Sequence, residues 1–364
     1  MPITSPAQAV QAVQAVQAVQ AVQAVQAVQA VQNPGGSGSP NGLLTARDGI
    51  VGAWVPPEHP PQPLEAQNAT NLRYWPDWSR QMALVAEIMS RISYVENGES
   101  VKVRLMTVTG DTAELCTIAE LTRPSAEDFL EQTAVVHDYA DLRPDRMQEV
   151  LDQIGGATAY FAMLLPMTSD RMGKTLELLA LVQQVAALIA QRTKHALACR
   201  RPDAFSAQIQ SMIPMPGHGA LPSGHATEAF AVAETLRLLV PERMKPPGLD
   251  GLLFKQAARI AVNRTVAGLH FPADSFAGAA IGLLAADLIA ALAKSGKLAP
   301  VLFDGRQIGR TDFYAAQIVD ANGHRKEVKT KRVHWKFDTT AESAIEIEEN
   351  AMMHHVWHQA ELEW

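Results

Sequence analysis

The sequence predicts a mainly α-helical fold, in which a helical bundle is followed by a small β-containing tail. The longest apolar stretches, 174–199 and 275–294, have the length and composition of buried helices. Alternation of apolar and polar residues is clearest at 100–108 and weaker after residue 300. With 364 residues, 47% of them hydrophobic, the chain can bury a core of substantial size.

The chain begins with a low-complexity segment. Residues 9–32 are eight copies of Ala-Val-Gln, and a period of three fits neither a helix nor a strand. The stretch 33–42, NPGGSGSPNG, is typical of a flexible linker. We divide the chain into four parts: arm and linker at 1–42, an N-terminal helical segment with a short strand at 43–125, the helical core at 126–298, and the tail at 299–364.

Local patterns place the individual elements. Helical apolar spacing occurs at 75–93, 112–121, 125–140, 144–165, 174–199, 224–240, 252–268 and 275–294. Strands are predicted at 100–108, 311–319 and 327–337. A final acidic helix is predicted near 340–350.

Composition and charge argue against several classes of protein. A net charge of −7 disfavours a general nucleic-acid binder. The distant cysteines Cys116 and Cys199 form no disulfide framework and suit a reducing compartment. The first residues lack a basic segment followed by an apolar one, so we expect no signal peptide and a cytoplasmic protein. The apolar run 276–293 contains Asp287, which is costly in a bilayer, so we expect a core helix and no integral membrane segment.

The tail carries two weaker patterns. We interpret the basic run 325–336 as a solvated strand face rather than an anion-binding surface. His354, His355 and His358 have the chemistry of metal ligands, but nothing nearby in the sequence completes a metal site.

Two cations lie near the end of the first long helix. Lys194 and Arg201 are seven residues apart, about two helical turns, so both side chains can point the same way. Pro202 ends the helix and restricts the backbone at Arg201. Alone, the pair also fits a helix C-terminus whose basic residues complement the macrodipole.

A Pro-Ser-Gly-His turn opens the helix at 224–240. Ser223 can cap the helix, and Gly224 permits a close approach to its backbone amide. Free amides at a helix N-terminus bind anions, and His225 can exchange a proton with an oxygen of such an anion. An ordinary capped helix with an incidental histidine is the alternative.

The third pattern, NRTVAGLHFPAD, runs from Asn263 to Asp274. Arg264 adds a third cation, and Asp274 can accept a hydrogen bond from Nδ1 of His270, which leaves Nε2 free as a nucleophile or ligand. Alone, this pattern also fits a salt-bridged helix end. Three cations, a capped helix N-terminus and two histidines, one with a carboxylate partner, together match the requirements of a buried tetrahedral oxyanion.

These patterns, in this order, resemble the signature motifs of the type 2 phosphatidic acid phosphatase and vanadium haloperoxidase superfamily. In that family a Lys precedes Arg-Pro with six residues between Lys and Arg, and Pro-Ser-Gly-His follows. Ser-Arg, His and Asp come last, at the spacing found here. The chain departs from the family pattern at Asn263, where Ser is usual. The resemblance covers about 175–295 and implies the helical fold of that superfamily.

The resemblance also implies a role for each matching residue. The oxyanion-binding group would comprise Lys194, Arg201, Ser223, Gly224 and Arg264. His225 would act as the general acid and base. His270, oriented by Asp274, would be the nucleophile towards phosphorus or the ligand of vanadium.

The superfamily uses the same pocket for two reactions. A haloperoxidase would hold vanadate at His270 and oxidise a halide with hydrogen peroxide, whereas a phosphatase would hydrolyse a phosphoester through a phosphohistidine and needs no cofactor. The expected lack of membrane spans and signal peptide, and the SGHAT and AGLHF runs, favour the haloperoxidase branch. His218, seven residues before His225, is similar in position to a second histidine of algal bromoperoxidases. The chain is shorter than typical haloperoxidases, which keeps the phosphatase as the alternative.

A third interpretation is a non-catalytic helical scaffold with a phosphate site. The Ala-Val-Gln arm and the tail would then serve assembly into a homo-oligomer. The set formed by His225, His270 and Asp274 argues against this interpretation, because passive phosphate binding needs no acid–base pair.

Overall fold

The computed structural model describes residues 40–109, 112–320, 322–326, 328–329, 334–337 and 344–364. The chain divides into two compact units, Met1–Leu64 and Glu65–Trp364. The first unit contains helix α1, Pro40–Val51. The Ala-Val-Gln repeats and the linker up to residue 39 lie outside the described residues.

Helices dominate the second unit. They make up about 54% of the structure and strands 13%, which confirms the prediction of a mainly α fold. In chain order the helices are α2 (Asp77–Met89), α3 (Ala126–Asp138), α4 (Arg143–Asp152), α5 (Gly173–Leu197), α6 (Gly224–Leu239), α7 (Leu249–Val266), α8 (Pro272–Lys294), α9 (Ala315–Ile318) and α10 (Ala351–Glu361).

The strands form two sheets. In chain order they are β1 (Ile92–Asn97), β2 (Ser100–Thr109), β3 (Thr112–Thr122), β4 (Gly296–Leu298), β5 (Val301–Asp304), β6 (Val328–Lys329), β7 (His334–Phe337) and β8 (Ile345–Ile347). The larger sheet has the order β1-β2-β3-β5-β7-β6, and β4 pairs with β8. Only the contact of β3 with β5 is parallel among these described pairs. The β structure therefore extends from the tail to the N-terminal strands.

Helix α8 is the buried centre of the bundle. Its sequence is apolar on every side, and nearly all of its residues are buried, which is typical of a helix surrounded by protein. Two glycines bring it close to α6: a Cβ on Gly278 would lie 2.7 Å from the carbonyl oxygen of Ser223, and one on Gly282 2.3 Å from that of Thr227. A larger residue at either glycine would push the start of α6 away from α8.

Among the described residues, two helical segments have the length and apolar composition needed to cross a membrane, Gly173–Ala204 and Pro272–Lys294. In the apolar 18-residue window of the first segment 56% of the residues are buried inside the protein, and in that of the second 89% are buried. The second segment therefore has little surface to offer to lipid, as expected for a core helix.

The tail is attached to the bundle by buried charges. Arg325 donates to Asp287 on α8 at 2.5 and 2.6 Å and to Glu234 on α6 at 2.7 Å. Glu234 also accepts two hydrogen bonds from Arg237 on its own helix. Two arginines thus compensate the buried Glu234 and the partly buried Asp287 where the tail crosses α6 and α8.

Four local predictions were wrong. The segment 112–121, rich in helix-forming residues, is strand β3, because pairing with β2 places Leu121 opposite Val101 and Ala119 opposite Val103. The predicted helix 144–165 ends as α4 at Asp152. The predicted strand 311–319 contains the short helix α9, and the predicted helix at 340–350 contains strand β8, which pairs with β4.

Candidate active site

Lys194 lies in the last turn of α5, and its side chain is almost fully buried. The ammonium donates to the carbonyl oxygens of Gly219 at 3.0 Å and Ala220 at 2.9 Å, which leaves one of its three N–H groups for a further acceptor. Burial, reinforced by the nearby charge of Arg201, lowers the pKa of Lys194 to about 7. An anion beside this amine would favour its charged form.

Arg201 connects two loops of the site. Its Nη1 donates to the carbonyl oxygen of Leu269 at 2.9 Å and lies 3.1 Å from Nε2 of His270. Its Nη2 lies 3.1 Å from Nδ1 of His218, and its Nε donates to the backbone carbonyl of the same residue at 3.1 Å. Arg201 therefore holds the loop before α6 against the loop before α8, and His218 lies beside it.

The seven-residue spacing of Lys194 and Arg201 predicts that they share one helical face. Helix α5 instead ends at Leu197, and the left-handed backbone of Ala198 redirects the chain. Arg201 therefore reaches the site from a loop. The two cations are nevertheless close enough for Arg201 to contribute to the lowered pKa of Lys194.

His270 and Asp274 meet at the start of α8. Nδ1 of His270 lies 2.8 Å from Oδ2 of Asp274, and the same oxygen accepts the backbone amide of Phe271 at 3.0 Å. Pro272 is the first helical residue, so Asp274 accepts these bonds as a residue of the first turn. The backbone carbonyl of Asp274 accepts the amide of Ser223 at 2.8 Å, which ties α8 to the turn before α6.

These contacts define the protonation of His270. Arginine nitrogens only donate, so Nε2 of His270 accepts from Arg201 and carries no proton. The neutral ring therefore carries its proton on Nδ1, where it donates to Asp274. Burial, together with neighbouring cations, keeps the pKa of His270 well below its usual value. The ring thus offers a bare Nε2, the form required of a nucleophile or a metal ligand.

The Pro-Ser-Gly-His turn begins α6 as predicted. The peptide bond Leu221–Pro222 is cis, and the Ser223 hydroxyl caps the helix by accepting the amide of Ala226 at 3.4 Å. Gly224 is the first helical residue, so its amide lies outside the helical hydrogen-bond ladder. His225 follows in the same turn.

His225 is held by a residue from another part of the chain. Its Nε2 lies 2.9 Å from the backbone carbonyl oxygen of Gln153. A carbonyl only accepts, so Nε2 carries the proton, and Nδ1 is the nitrogen that can receive another. Burial and the charge of Arg264 lower the pKa of His225 to about 4, so the ring is neutral near pH 7.

Arg264, in the last turn of α7, is fully buried. Its Nη2 donates to the carbonyl oxygen of Val150 at 3.2 Å and to Oε1 of Gln153 at 2.9 Å. Its Nε and Nη1 are buried and have no hydrogen-bond partner among the described residues. Burial lowers the pKa of Arg264 to about 10, and the group stays charged near pH 7. A buried cation with two unused donors calls for an anion.

The candidate residues converge on His270. The groups that lower its pKa after burial itself are Lys194, Arg201, His225 and Arg264. Residues from three separate motifs are therefore close enough to influence the charge of one imidazole, and Arg201 contacts it directly. Asp274 is the carboxylate in contact with this ring, and burial raises its pKa to about 7.

Helix α4 supplies contacts that sequence reasoning missed. Asn263, which stands where the family usually has Ser, donates to Glu149 at 3.0 Å and to Oε1 of Gln153 at 3.1 Å. It also accepts from Arg146 at 3.0 Å. Asn263 therefore links α7 to α4. The one signal in the sequence was the helical pattern from residue 144, which does not indicate which polar side chains turn inwards.

The weaker candidate sites gain no support. No group of three metal-binding side chains occurs among the described residues, and His354, His355 and His358 lie along helix α10. Both cysteines are free thiols. Most side chains of the basic run 325–336 lie outside the described residues.

Comparison with known proteins agrees with the geometry. No curated protein matches the chain. The model of the PAP2 superfamily matches residues 175–295, a segment that contains Lys194, Arg201, His225, Arg264 and His270. The helical core of the chain is therefore similar to the PAP2 superfamily, as the three motifs predict.

Proposed function

We propose that this chain is an enzyme that binds a tetrahedral oxyanion against Nε2 of His270. Lys194, Arg201 and Arg264 would neutralise the oxygens, and the Ser223 hydroxyl and the Gly224 amide would add hydrogen bonds. The observation that carries the proposal is Arg264: it is fully buried, keeps its charge, and has two donors without a partner among the described residues. Such a cation is stabilised by an anion that enters the site.

We propose further that the anion is vanadate and that the reaction is halide oxidation by hydrogen peroxide. The donor set fits this group, because an unprotonated imidazole nitrogen faces hydrogen-bond donors that suit negatively charged oxygens. Vanadate, when bound, would supply a Lewis acid that activates peroxide. His218 supports this branch, because its Nδ1 lies 3.1 Å from Arg201 and so beside the site.

The chain's own residues would perform the remaining tasks. Asp274 keeps the proton of His270 on Nδ1 and thereby keeps Nε2 available. His225 would receive a proton at Nδ1 and return it, while the Gln153 carbonyl holds the opposite edge of its ring. A bound oxyanion would raise the low pKa of His225 towards the working pH, where proton transfer is most effective.

A phosphatase is the second candidate, because the same bare Nε2 backed by a carboxylate suits covalent phosphoryl transfer. Nε2 of His270 would form a bond to phosphorus while the bond to the ester oxygen breaks. His225, protonated at Nδ1 once the phosphoester is bound, would give that proton to the leaving alcohol. Water would then attack the phosphohistidine and pass a proton to Nδ1 of His225, which frees His270 and releases phosphate.

Two assays on the purified protein separate the candidates. One measures bromination of a phenolic dye with vanadate, bromide and hydrogen peroxide, and the other measures hydrolysis of p-nitrophenyl phosphate without vanadate. Bromination that phosphate inhibits is the expected result. Hydrolysis alone, inhibited by vanadate, would establish the phosphatase. Neither activity in a folded protein that binds phosphate would indicate the scaffold.

A further inference from the structure

Gln153 contacts two residues of the site that come from different motifs. It is fully buried in the short turn after α4. Its backbone carbonyl accepts from Nε2 of His225 at 2.9 Å, and its side-chain Oε1 accepts from Nη2 of Arg264 at 2.9 Å. A further hydrogen bond from Asn263 to Oε1 fixes the direction of the carboxamide. Gln153 lies outside the segment 175–295.

Outside the candidate active site, the buried Arg80 and the partly buried Arg325 are compensated by acids. Arg80 donates to both carboxylate oxygens of Glu177, at 2.7 and 2.9 Å. Arg325 does the same with Asp287. Such pairing is the usual arrangement, because an isolated buried charge is expensive.

Arg264 is held differently. Its two acceptors are the Gln153 amide oxygen and the Val150 carbonyl, and both are neutral. Glu149, the acid one turn earlier on α4, instead accepts from Arg259 at 2.8 Å and from Asn263. Glutamine at position 153 thus orients the guanidinium and leaves its positive charge uncompensated.

We propose that Gln153 is a positioning residue of the oxyanion site. Its side-chain oxygen orients Arg264, its backbone carbonyl fixes the ring of His225, and its neutrality reserves the charge of Arg264 for the ligand. The inference rests on the proposed function. It extends the site to the end of α4. It also explains why position 153 holds glutamine rather than glutamate, because a neutral side chain there preserves the affinity for the anion.

The test is the Gln153→Glu variant, which keeps both acceptors and adds a negative charge. Calorimetric titration with inorganic phosphate and with vanadate should show affinity lowered about 100-fold or more, because like charges in close contact cost several kcal/mol. Thermal unfolding should show equal or higher stability, because the new carboxylate pairs with Arg264. A merely structural role would move affinity and stability in the same direction.

Two further variants complete the experiment. Gln148→Glu adds the same charge at an exposed position of α4, where the Gln148 side chain donates to Asp152, and it should leave affinity within about twofold of the wild type. Gln153→Met removes the side-chain acceptor without adding charge, and it should retain more affinity than Gln153→Glu.

The outcomes separate the two proposals. If the wild type binds phosphate or vanadate and Gln153→Glu binds it equally tightly, the role of Gln153 is overturned but the oxyanion site is not. If Gln153→Met and Gln153→Glu lose the same anion affinity, the added negative charge is not the cause of the loss. That result would also overturn the role of Gln153. A folded wild-type protein that binds neither phosphate nor vanadate would overturn the proposed function, and the inference with it.

Discussion

Nη1 of Arg201 lies 3.1 Å from the unprotonated Nε2 of His270. The contact places a permanent cation directly beside the one imidazole nitrogen that can bond to a ligand. An anion attracted to Arg201 is therefore brought to Nε2 as well. Asp274 completes the arrangement from the other side of the ring, at 2.8 Å from Nδ1.

The first prediction concerns His270. The His270→Ala variant should lose bromination or phosphatase turnover down to background, because no other group at the site supplies the bonding nitrogen. Steady-state assays of both reactions measure the effect. His137→Ala, which removes an exposed histidine, is the matched control and should keep wild-type turnover. Turnover by His270→Ala at the wild-type rate would refute the role assigned to it.

The second prediction concerns Arg264. Arg264→Met should weaken phosphate and vanadate binding about 10- to 150-fold, because a hydrogen bond to a charged group contributes about 1.5–3 kcal/mol. Thermal stability should be retained or raised, because the substitution removes a buried uncompensated charge. Arg192→Met, at an exposed arginine paired with Glu96, should leave affinity unchanged. Undiminished anion affinity in Arg264→Met would contradict the proposed role of Arg264 in binding the anion.

The third prediction concerns pH. The pKa of Lys194 is lowered to about 7, so its charge is present below pH 7 and lost as the pH rises through that value. The raised pKa of Asp274, also about 7, acts in the same direction, because the carboxylate gains negative charge as pH rises. Sulfate, a tetrahedral dianion that does not titrate in this range, should therefore bind about tenfold more tightly at pH 6 than at pH 8.

Calorimetric titration at several pH values measures this dependence. Lys194→Met should bind sulfate weakly and with a clearly smaller change between pH 6 and pH 8. Sulfate affinity that is constant over this range in the wild type, or a full tenfold change in the variant, would exclude Lys194 as the titrating cation.

The fourth prediction concerns the attachment of the tail. Arg325→Ala should lower the free energy of unfolding by about 3–5 kcal/mol, because it removes the arginine paired with Asp287 and leaves the fully buried Glu234 with Arg237 alone. Arg306→Ala, which breaks an exposed pair with Asp304, should cost less than about 1 kcal/mol. Denaturant unfolding of both variants measures the difference. Equal stability of the two variants would contradict a structural role for the buried cluster.

The three motifs were recognisable in the sequence because oxyanion chemistry restricts residue types at fixed spacings. Lys194, Arg201, His225 and His270 could be proposed from short segments alone, and the bundle from apolar periodicity. The helical face expected for Arg201 was wrong, because the left-handed residue at the end of α5 is an alanine rather than the usual glycine. A cap of this kind leaves no clear mark in a single sequence.

The contribution of α4 was not predictable in the same way. Gln153 bonds to Arg264 across 111 positions of the chain, and glutamine at the end of a helix is usually a solvated residue. Strand β3 has a related cause, since its helix-forming residues are overruled by pairing with β2. Both features depend on tertiary contacts that local pattern does not encode.

The central claim is that His270 and the three surrounding cations bind one tetrahedral oxyanion. A crystal structure of the protein soaked in vanadate tests it most directly. We expect vanadium bonded to Nε2 of His270, with Lys194, Arg201 and Arg264 in contact with the vanadate oxygens. Vanadate bound elsewhere, or no vanadate beside Arg264 at saturating concentration, would show that these residues do not form the anion site.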